Sequence, residues 1–444
     1  MRKVLLEYGR LQRDKVPTPL LRRLQRFDEQ HAKLTGSCVF DWDHVRYIRA
    51  LSFVGVVQVP GLTVEILPKV DTSAVATADG TAPDSETLSL AQRNLLYMLS
   101  IAKRVPLHER ELASLETQRL PLLEALALIF VERLFDELRK GVDRAYMRRE
   151  ENLPLFKGKL LLRQHLSRNI AHQERCYVAY DEFLPDTWLN RILKAACRRL
   201  LSMVGSARVQ QRLREALVFF GGVEDLAIEE YHFDSVHLNR NTRRFGVLLD
   251  FARLVLLGGT PCPRAGRLLT FSLLFPMETL FEEFIARFIR RYASEFGLER
   301  SQIHIQARRQ GAWLLRTDAG EGRFRLRPDI LVDGARGRPQ LILDTKWKRL
   351  LRDVEDARNG VGQADLYQLY AYATRYKCLD NVLLFPRVEG VTPKSYRIDG
   401  GDGRLRVEFV DVSCDLRRNS AALKANLSTI LSPRLVPSSV APRS

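Results

Sequence analysis

Pro328-Asp329-Ile330-Leu331-Val332, followed by Leu341-Ile342-Leu343-Asp344-Thr345-Lys346, is the stretch whose reading decides the fold. Both acids lie in short apolar runs bounded by Gly, Pro and charge, the pattern of buried strands. Asp333-Gly334 through Gly337-Arg338-Pro339 supplies a turn between the runs, so the spacing predicts a hairpin. Side chains alternate across a strand. Asp344 and Lys346 are therefore expected on one face, with Thr345 pointing away and Asp329 brought close to both by the neighbouring strand.

Those residue types suit phosphodiester hydrolysis. Mg²⁺ is a hard ion that takes few protein carboxylates and keeps its waters; it polarises a phosphate and lowers the pKa of a bound water. Two aspartates supply ligands, and a lysine two residues from one of them can orient or deprotonate the attacking water and counter the charge developing on phosphorus. Burial beside cations is expected to depress the lysine pKa. The plainer alternative is a pair of strand-end aspartates hydrogen-bonded to a turn, with Lys346 solvated at a sheet edge. The hairpin, the shared face and the basic surroundings weigh against it.

The site extends to both sides. From Phe275 to Ile289, apolar residues at 277, 280, 281, 284, 285 and 288 mark an amphipathic helix entered through Pro276. Glu278 and Glu282 share a face bordering that stripe, and Glu282 is the candidate extra ligand or metal-orienting group; acids there also suit a helix N-terminus. From Gly362 to Tyr376 a second helix sets Gln368 and Tyr372 one turn apart, where an amide and a phenol can bond a phosphate or base or hold the lysine. Asn381-Val382-Leu383-Leu384-Phe385-Pro386 is expected to return as a strand beside the hairpin.

Asp, then Asp-x-Lys, then Gln-x-x-x-Tyr, in the order helix, strands, helix, strand, resembles the PD-(D/E)xK nuclease superfamily and its RecB-like branch. The wider chain resembles the McrC family, the nuclease subunit of the McrBC modification-dependent restriction system. The matching stretches are Glu65-Ile66-Leu67-Pro68-Lys69-Val70, Tyr180-Asp181-Glu182-Phe183 with Thr187, Leu189-Asn190-Arg191-Ile192-Leu193-Lys194, Leu280-Phe281-Glu282, Asp344-Thr345-Lys346-Trp347-Lys348 and Asp365 to Tyr372.

The resemblance implies an α+β multidomain chain: an N-terminal β-containing region, a helical middle and a C-terminal PD-(D/E)xK α/β nuclease domain with a mixed central sheet. It implies Asp329, Asp344 and Lys346 as the catalytic set, supported by Glu282 and Gln368, with Asp329, Asp344 and Glu282 holding Mg²⁺. Lys348, Arg349 and Tyr372 are candidate DNA contacts. The implied partners are modified, methylcytosine-containing duplex DNA and a hexameric AAA+ GTPase of the McrB type, docked through the N-terminal part and stimulated in its GTP hydrolysis. Two other readings stay open: a non-catalytic docking and GTPase-activating subunit that binds DNA, and a RecB-like repair nuclease with a different motor.

Composition agrees with a polyanionic partner. The 444 residues carry a formal charge of +17, and Ser301 to Arg352 hold 12 Lys and Arg against 5 Asp and Glu, a net +7 beside the site. The six cysteines form no Cys-x-x-Cys pair, which argues against a zinc ribbon and for reduced thiols in a cytoplasmic protein. The N-terminus is not a signal peptide in composition, no run is long and apolar enough for a membrane span, and no Gly-x-x-x-x-Gly-Lys-Ser/Thr motif occurs. Nucleotide hydrolysis is therefore assigned to a partner.

The chain length predicts several domains. Residues 1–71 are expected to be β-rich and partner-docking, with a hairpin of Phe53 to Val59 and Leu62 to Leu67 around Pro60-Gly61. Residues 72–87 resemble a flexible linker, 88–260 a mainly helical docking and regulatory region with long runs at Ser89 to Lys103 and Pro121 to Tyr146, 261–416 the nuclease, and 417–444 a tail whose end is disordered. Asp181 and Glu182 are expected to cap the helix at Leu189. His304 is expected to be a structural strand histidine, and Trp347 to pack on the Gln368 helix or stack on DNA.

Overall fold

The structure, a computed structural model, describes residues 1–69, 84–105, 120–257, 270–306, 312–334, 337–348, 361–399 and 402–432. The chain divides into two compact units, one of residues 1–102 with 267–444 and one of residues 103–266. The N-terminal strands and the expected nuclease region thus fold as one unit. The divisions expected at residues 71 and 261 do not coincide with the unit boundaries.

The first unit opens with β1 (Arg2–Leu6) and β2 (Arg10–Gln12), then α1 (Thr18–Thr35), β3 (Phe40–Asp41), β4 (Tyr47–Ala50), β5 (Phe53–Val59), β6 (Leu62–Leu67) and α2 (Ser85–Ile101). The hairpin expected around Pro60-Gly61 is β5 and β6, with Gly61 at φ +88°. Helix α1 stands among the strands of the expected β-rich region. It starts with a proline in its first turn, ends on Gly36 in the left-handed conformation, and buries Leu21, Leu24 and Phe27 at helical spacing. Asp84 caps α2 by accepting from the Thr87 amide at 2.9 Å, so 85–87 of the expected linker are helical and 72–83 of it fall outside the described residues.

The second unit contains α3 (Leu122–Leu138), β7 (Ala145–Leu153), β8 (Lys159–Leu160), α4 (Leu162–Arg168), β9 (Cys176–Leu184), α5 (Trp188–Leu201), α6 (Ala207–Val218), α7 (Glu230–Asp234) and α8 (Gly246–Leu257). Helix α3 is apolar nearly all round and forms the centre of this unit, with Phe130 stacked on Phe251. The unit is less helical than expected. Chain pairing turns 145–153 into a strand bound to β9 along nine residue pairs, and Asp181 and Glu182 lie inside β9, where Glu182 pairs with Arg149. Thr187 caps α5 in their place, its hydroxyl accepting from the Asn190 amide.

The first unit resumes with β10 (Phe271–Pro276), α9 (Met277–Arg291), β11 (Ile303–Ile305), β12 (Trp313–Arg316), β13 (Gly322–Arg325), β14 (Ile330–Asp333), β15 (Pro339–Thr345), α10 (Gln363–Tyr376), β16 (Asp380–Pro386), β17 (Lys394–Arg397), β18 (Arg404–Val410) and α11 (Ser420–Leu431). Strand β10 completes a four-stranded sheet in the order β1-β6-β5-β10. Gly55 on β5 has φ +130°, and a Cβ there would sit 1.9 Å from the Leu273 carbonyl oxygen, so the close approach to β10 requires glycine.

A six-stranded mixed sheet, β11-β14-β15-β16-β18-β17, positions the candidate site. Strands β14 and β15 are the expected antiparallel hairpin, and β16 is the expected returning strand, parallel to β15. Apolar residues Leu331, Ile342, Leu383 and Phe385 meet Leu369 and Tyr372 of α10 in one core. The tail contains a helix before the end that is expected to be disordered. Helix α11 buries Leu423, Leu427, Ile430 and Leu431, and the Ile430 carbonyl accepts from Arg406 at 2.8 Å; 433–444 lie outside the described residues. Among the described residues no helix is long and apolar enough to cross a membrane.

Candidate active site

Register brings the acids together. Ile330 pairs with Leu343, so Asp329, just before β14, stands opposite Asp344 near the end of β15. Asp344 is 1% exposed. Its Oδ2 lies 2.7 Å from Lys346 Nζ. The Lys346 ammonium also donates to Gln368 Oε1 at 3.0 Å, the Gln368 amide donates to the Tyr372 hydroxyl at 2.8 Å, and that hydroxyl donates to the Arg327 carbonyl at 3.3 Å. Lysine, amide and phenol form one chain that ties α10 to β15 and to the segment entering β14. Gln368 thereby holds the lysine.

Thr345 does not point away. Its amide and its hydroxyl both donate to Asp329 Oδ2 at 2.7 Å, because the strand ends there and the side chain turns toward the neighbouring strand. Alternation predicts side-chain direction only inside a regular ladder. Gln306, at φ +53°, donates its backbone N–H to the Asp329 carbonyl at 2.7 Å and its side-chain amide to Glu282 Oε1 at 3.0 Å. A residue held in that conformation costs backbone energy, and here it connects two of the acids. Neither Thr345 nor Gln306 was singled out from sequence, since each acts by geometry and carries no motif.

The electrostatics follow from crowding. Burial, then the charges of Asp344 and Glu282, push the Asp329 carboxyl up to about 8, against the relief given by Thr345. Asp344 is raised by burial, partly offset by Lys346 and reinforced by Asp365 and Glu278. Glu282 is raised by burial and by Glu283 and Asp344, eased by Gln306. The lysine runs opposite to expectation. Burial pulls its pKa down, but Asp344, Asp329 and Asp365 together outweigh that, and it is held above the ordinary lysine value. Acids surround it where cations were expected.

Hard oxygen donors of this kind fit Mg²⁺. Three acids repel one another, and Lys346, 2.7 Å from Asp344 Oδ2, offsets only part of the cost of burying them. A divalent cation is the partner that would relieve both. Asp329 and Asp344 are the pair positioned to hold it. Glu282 stands apart on Gln306, and among the described residues no three His, Cys, Asp or Glu side chains converge as a ready-made cage.

The remaining candidates scatter. Tyr372 is buried with its hydroxyl occupied inside the protein, so it supports Gln368 and is not presented to DNA. Lys348 is exposed but its ammonium lies 3.1 Å from Asp365 of α10; Arg349 lies outside the described residues. Trp347 packs on Phe281 of α9 and donates to Glu7, not against α10. His304, expected to be structural, lies 2.7 Å from Asp333 Oδ2.

The match of this chain to known proteins runs across both units. Residues 48–386 match a family described as McrBC 5-methylcytosine restriction system component. The chain is 22% identical over 322 residues, 70% of its length and 90% of the relative's, to the Type IV methyl-directed restriction enzyme EcoKMcrBC of Escherichia coli (strain K12). Its fold is similar to a chain in the half-complex of the tetradecameric assembly of Thermococcus gammatolerans McrB AAA+ hexamers with bound McrC. The TM-score there is 0.70 at 19% identity, covering 97% of this chain and 100% of that one. A second structure, the Thermococcus gammatolerans McrBC complex, gives a TM-score of 0.52 at 22% identity over 66% of this chain and 88% of that one. The chain belongs to the family of McrBC 5-methylcytosine restriction system components.

Proposed function

We propose that this chain is the Mg²⁺-dependent DNA endonuclease subunit of an McrBC-type restriction system, built on a PD-(D/E)xK nuclease domain and cutting methylcytosine-containing DNA with an AAA+ GTPase partner whose GTP hydrolysis it stimulates. The observation that carries the proposal is the convergence of Asp329, Asp344, Lys346 and Gln368 at the hairpin end. Family membership supports the partner, as does the description of a similar structure as McrB AAA+ hexamers with bound McrC. The chain carries no P-loop of its own.

Asp329 and Asp344 would hold the metal, with Glu282 able to join on release from Gln306. The bound ion supplies phosphate polarisation and a water of lowered pKa. Thr345 fixes the Asp329 carboxylate through two donors, so its free oxygen is oriented in advance. The Lys346 ammonium, kept charged by the acids around it, serves to neutralise charge that develops on the phosphate and to hold the attacking water by donation. That state does not suit it to accept the water's proton. The basic stretch from Ser301 to Arg352 draws the DNA backbone toward these acids.

Cleavage of methylated and unmethylated plasmid with Mg²⁺, GTP and an McrB-type AAA+ GTPase tests the reading. Double-strand cutting confined to methylated plasmid, and dependent on all three additions, is expected. No cutting of either plasmid, or cutting driven by a helicase partner with ATP, would overturn it.

A further inference from the structure

A cavity of about 350 Å³ opens beside the residues that follow the candidate catalytic lysine. Its wall includes Glu7, Tyr8, Lys69, Trp347, Lys348 and Arg387. The indole of Trp347 is fixed before any ligand arrives: Phe281 packs on it at 5.1 Å, and both Glu7 oxygens accept its N–H at 2.9 and 3.0 Å. Glu7 is itself buried. Tyr8 holds a left-handed conformation, φ +60°, that a non-glycine residue adopts only where surroundings impose it. It presents a half-exposed ring to the cavity. Lys69, Lys348 and Arg387 give the wall its cationic rim, Lys69 acting electrostatically on Glu7 and Lys348 lying 3.1 Å from Asp365. The Arg387 guanidinium is exposed and meets no carboxylate among the described residues.

The cavity also communicates with the acid cluster. Asp365, which binds Lys348, acts electrostatically on Asp344, and Glu278 acts on both Asp344 and Tyr8. Aromatic faces with a cationic rim recognise a nucleotide: the base stacks and the phosphate is neutralised. The volume admits one nucleotide and not a duplex.

We propose that this cavity is a subsite for one unpaired nucleotide of the strand being cut, its base against Tyr8 and Trp347 and its phosphate toward Lys69, Lys348 and Arg387. The proposal rests on the nuclease reading of the neighbouring acids. Holding a splayed nucleotide here would fix the register of the scissile phosphate at the hairpin end.

The test uses the full chain, a 5′-phosphorylated single-stranded octathymidine and thymidine 5′-monophosphate, with binding followed in EDTA so that nothing is cut. Arg387→Glu and Tyr8→Ala are expected to weaken octathymidine binding roughly tenfold each, the loss of one stacked or neutralised nucleotide, while Asp344→Ala retains it. In cleavage, KM for DNA should rise more than kcat falls in Arg387→Glu. Octathymidine binding equal to wild type in both cavity variants overturns the proposal. So does a mononucleotide that binds as tightly as the strand while KM stays at the wild-type value, which would make the cavity a site for free nucleotide. Cutting at wild-type rate by Asp344→Ala would sink the nuclease reading and is separate from these outcomes. Arg387 is exposed, so its variant keeps the test valid should Tyr8→Ala fail to fold.

Discussion

Lys346 Nζ stands 2.7 Å from Asp344 Oδ2, two residues earlier on the same strand, and Gln368 Oε1 takes the ammonium from the other side at 3.0 Å. The lysine is thus clamped between an acid that keeps it charged and an amide that sets its direction. Gln368→Ala removes the second contact without touching the first. Because partners that orient a catalytic group are worth about 10- to 100-fold, kcat should fall by about that factor while KM for DNA moves little. Steady-state cleavage by Gln368→Ala and by the milder Gln368→Glu checks this.

Thr345→Val keeps the shape of the side chain and deletes only the hydroxyl donor to Asp329 Oδ2. A hydrogen bond to a charged group is worth about 1.5–3 kcal/mol, or about tenfold or more in an equilibrium. Mg²⁺ affinity is expected to drop by about that factor, and the Asp329 pKa to rise further. Calorimetric titration of Mg²⁺ into both proteins measures it.

The crowded acids give the metal-free protein a pH dependence of definite sign. The folded-state pKa of Asp329, about 8, lies above its unfolded value of about 3.9. Its contribution to stability is fully present below pH of about 4 and is lost as pH rises toward 8, where the native state must carry a buried charge. Mg²⁺ should therefore raise Tm more at pH 8.5 than at pH 5.5, conditions chosen on either side of most of that window. Asp329→Asn should raise the metal-free Tm at the higher pH and remove most of the Mg²⁺ effect. Differential scanning fluorimetry across the pH series checks both.

Arg406 is 1% exposed and binds Asp380 through two nitrogens at 2.9 Å, Glu408 at 3.0 Å and the Ile430 carbonyl. It ties β16 and β18 to α11. Arg406→Met removes the cation from buried Glu408 and leaves Asp380 with the longer contact to Arg404 at 3.6 Å, which costs about 3–5 kcal/mol. Urea unfolding should show a loss of that size, and the simultaneous change of Asp380 to Asn should restore part of it.

Sequence made the placement of the candidate residues legible because it was written in local patterns. Period-two apolar runs bounded by Gly and Pro placed Asp329 and Asp344 on a hairpin, and period-3.6 stripes placed Glu282 and Gln368 on helices. Contacts between distant segments carried no such pattern. Glu7 reaches Trp347 across nearly the whole chain, Thr345 turns back at a strand end, and Gln306 links Asp329 to Glu282 from a left-handed residue. Helix α1 does carry local signals, a proline in its first turn, Gly36 at its end and Leu21, Leu24 and Phe27 at helical spacing, whereas β7 becomes a strand only by pairing with β9. The lysine pKa was misjudged for the same reason: the charges that set it, Asp344, Asp329 and Asp365, assemble only in the fold.

On the proposed function, Asp344 and its neighbours cut DNA while other parts of the chain serve the GTPase partner. The direct measurement is cleavage of methylated plasmid by Asp344→Ala beside wild type, with Mg²⁺, GTP and the partner, together with GTP hydrolysis in the same reactions. Cutting should vanish while GTP hydrolysis stays within about twofold of wild type. Undiminished cutting by Asp344→Ala would contradict the account.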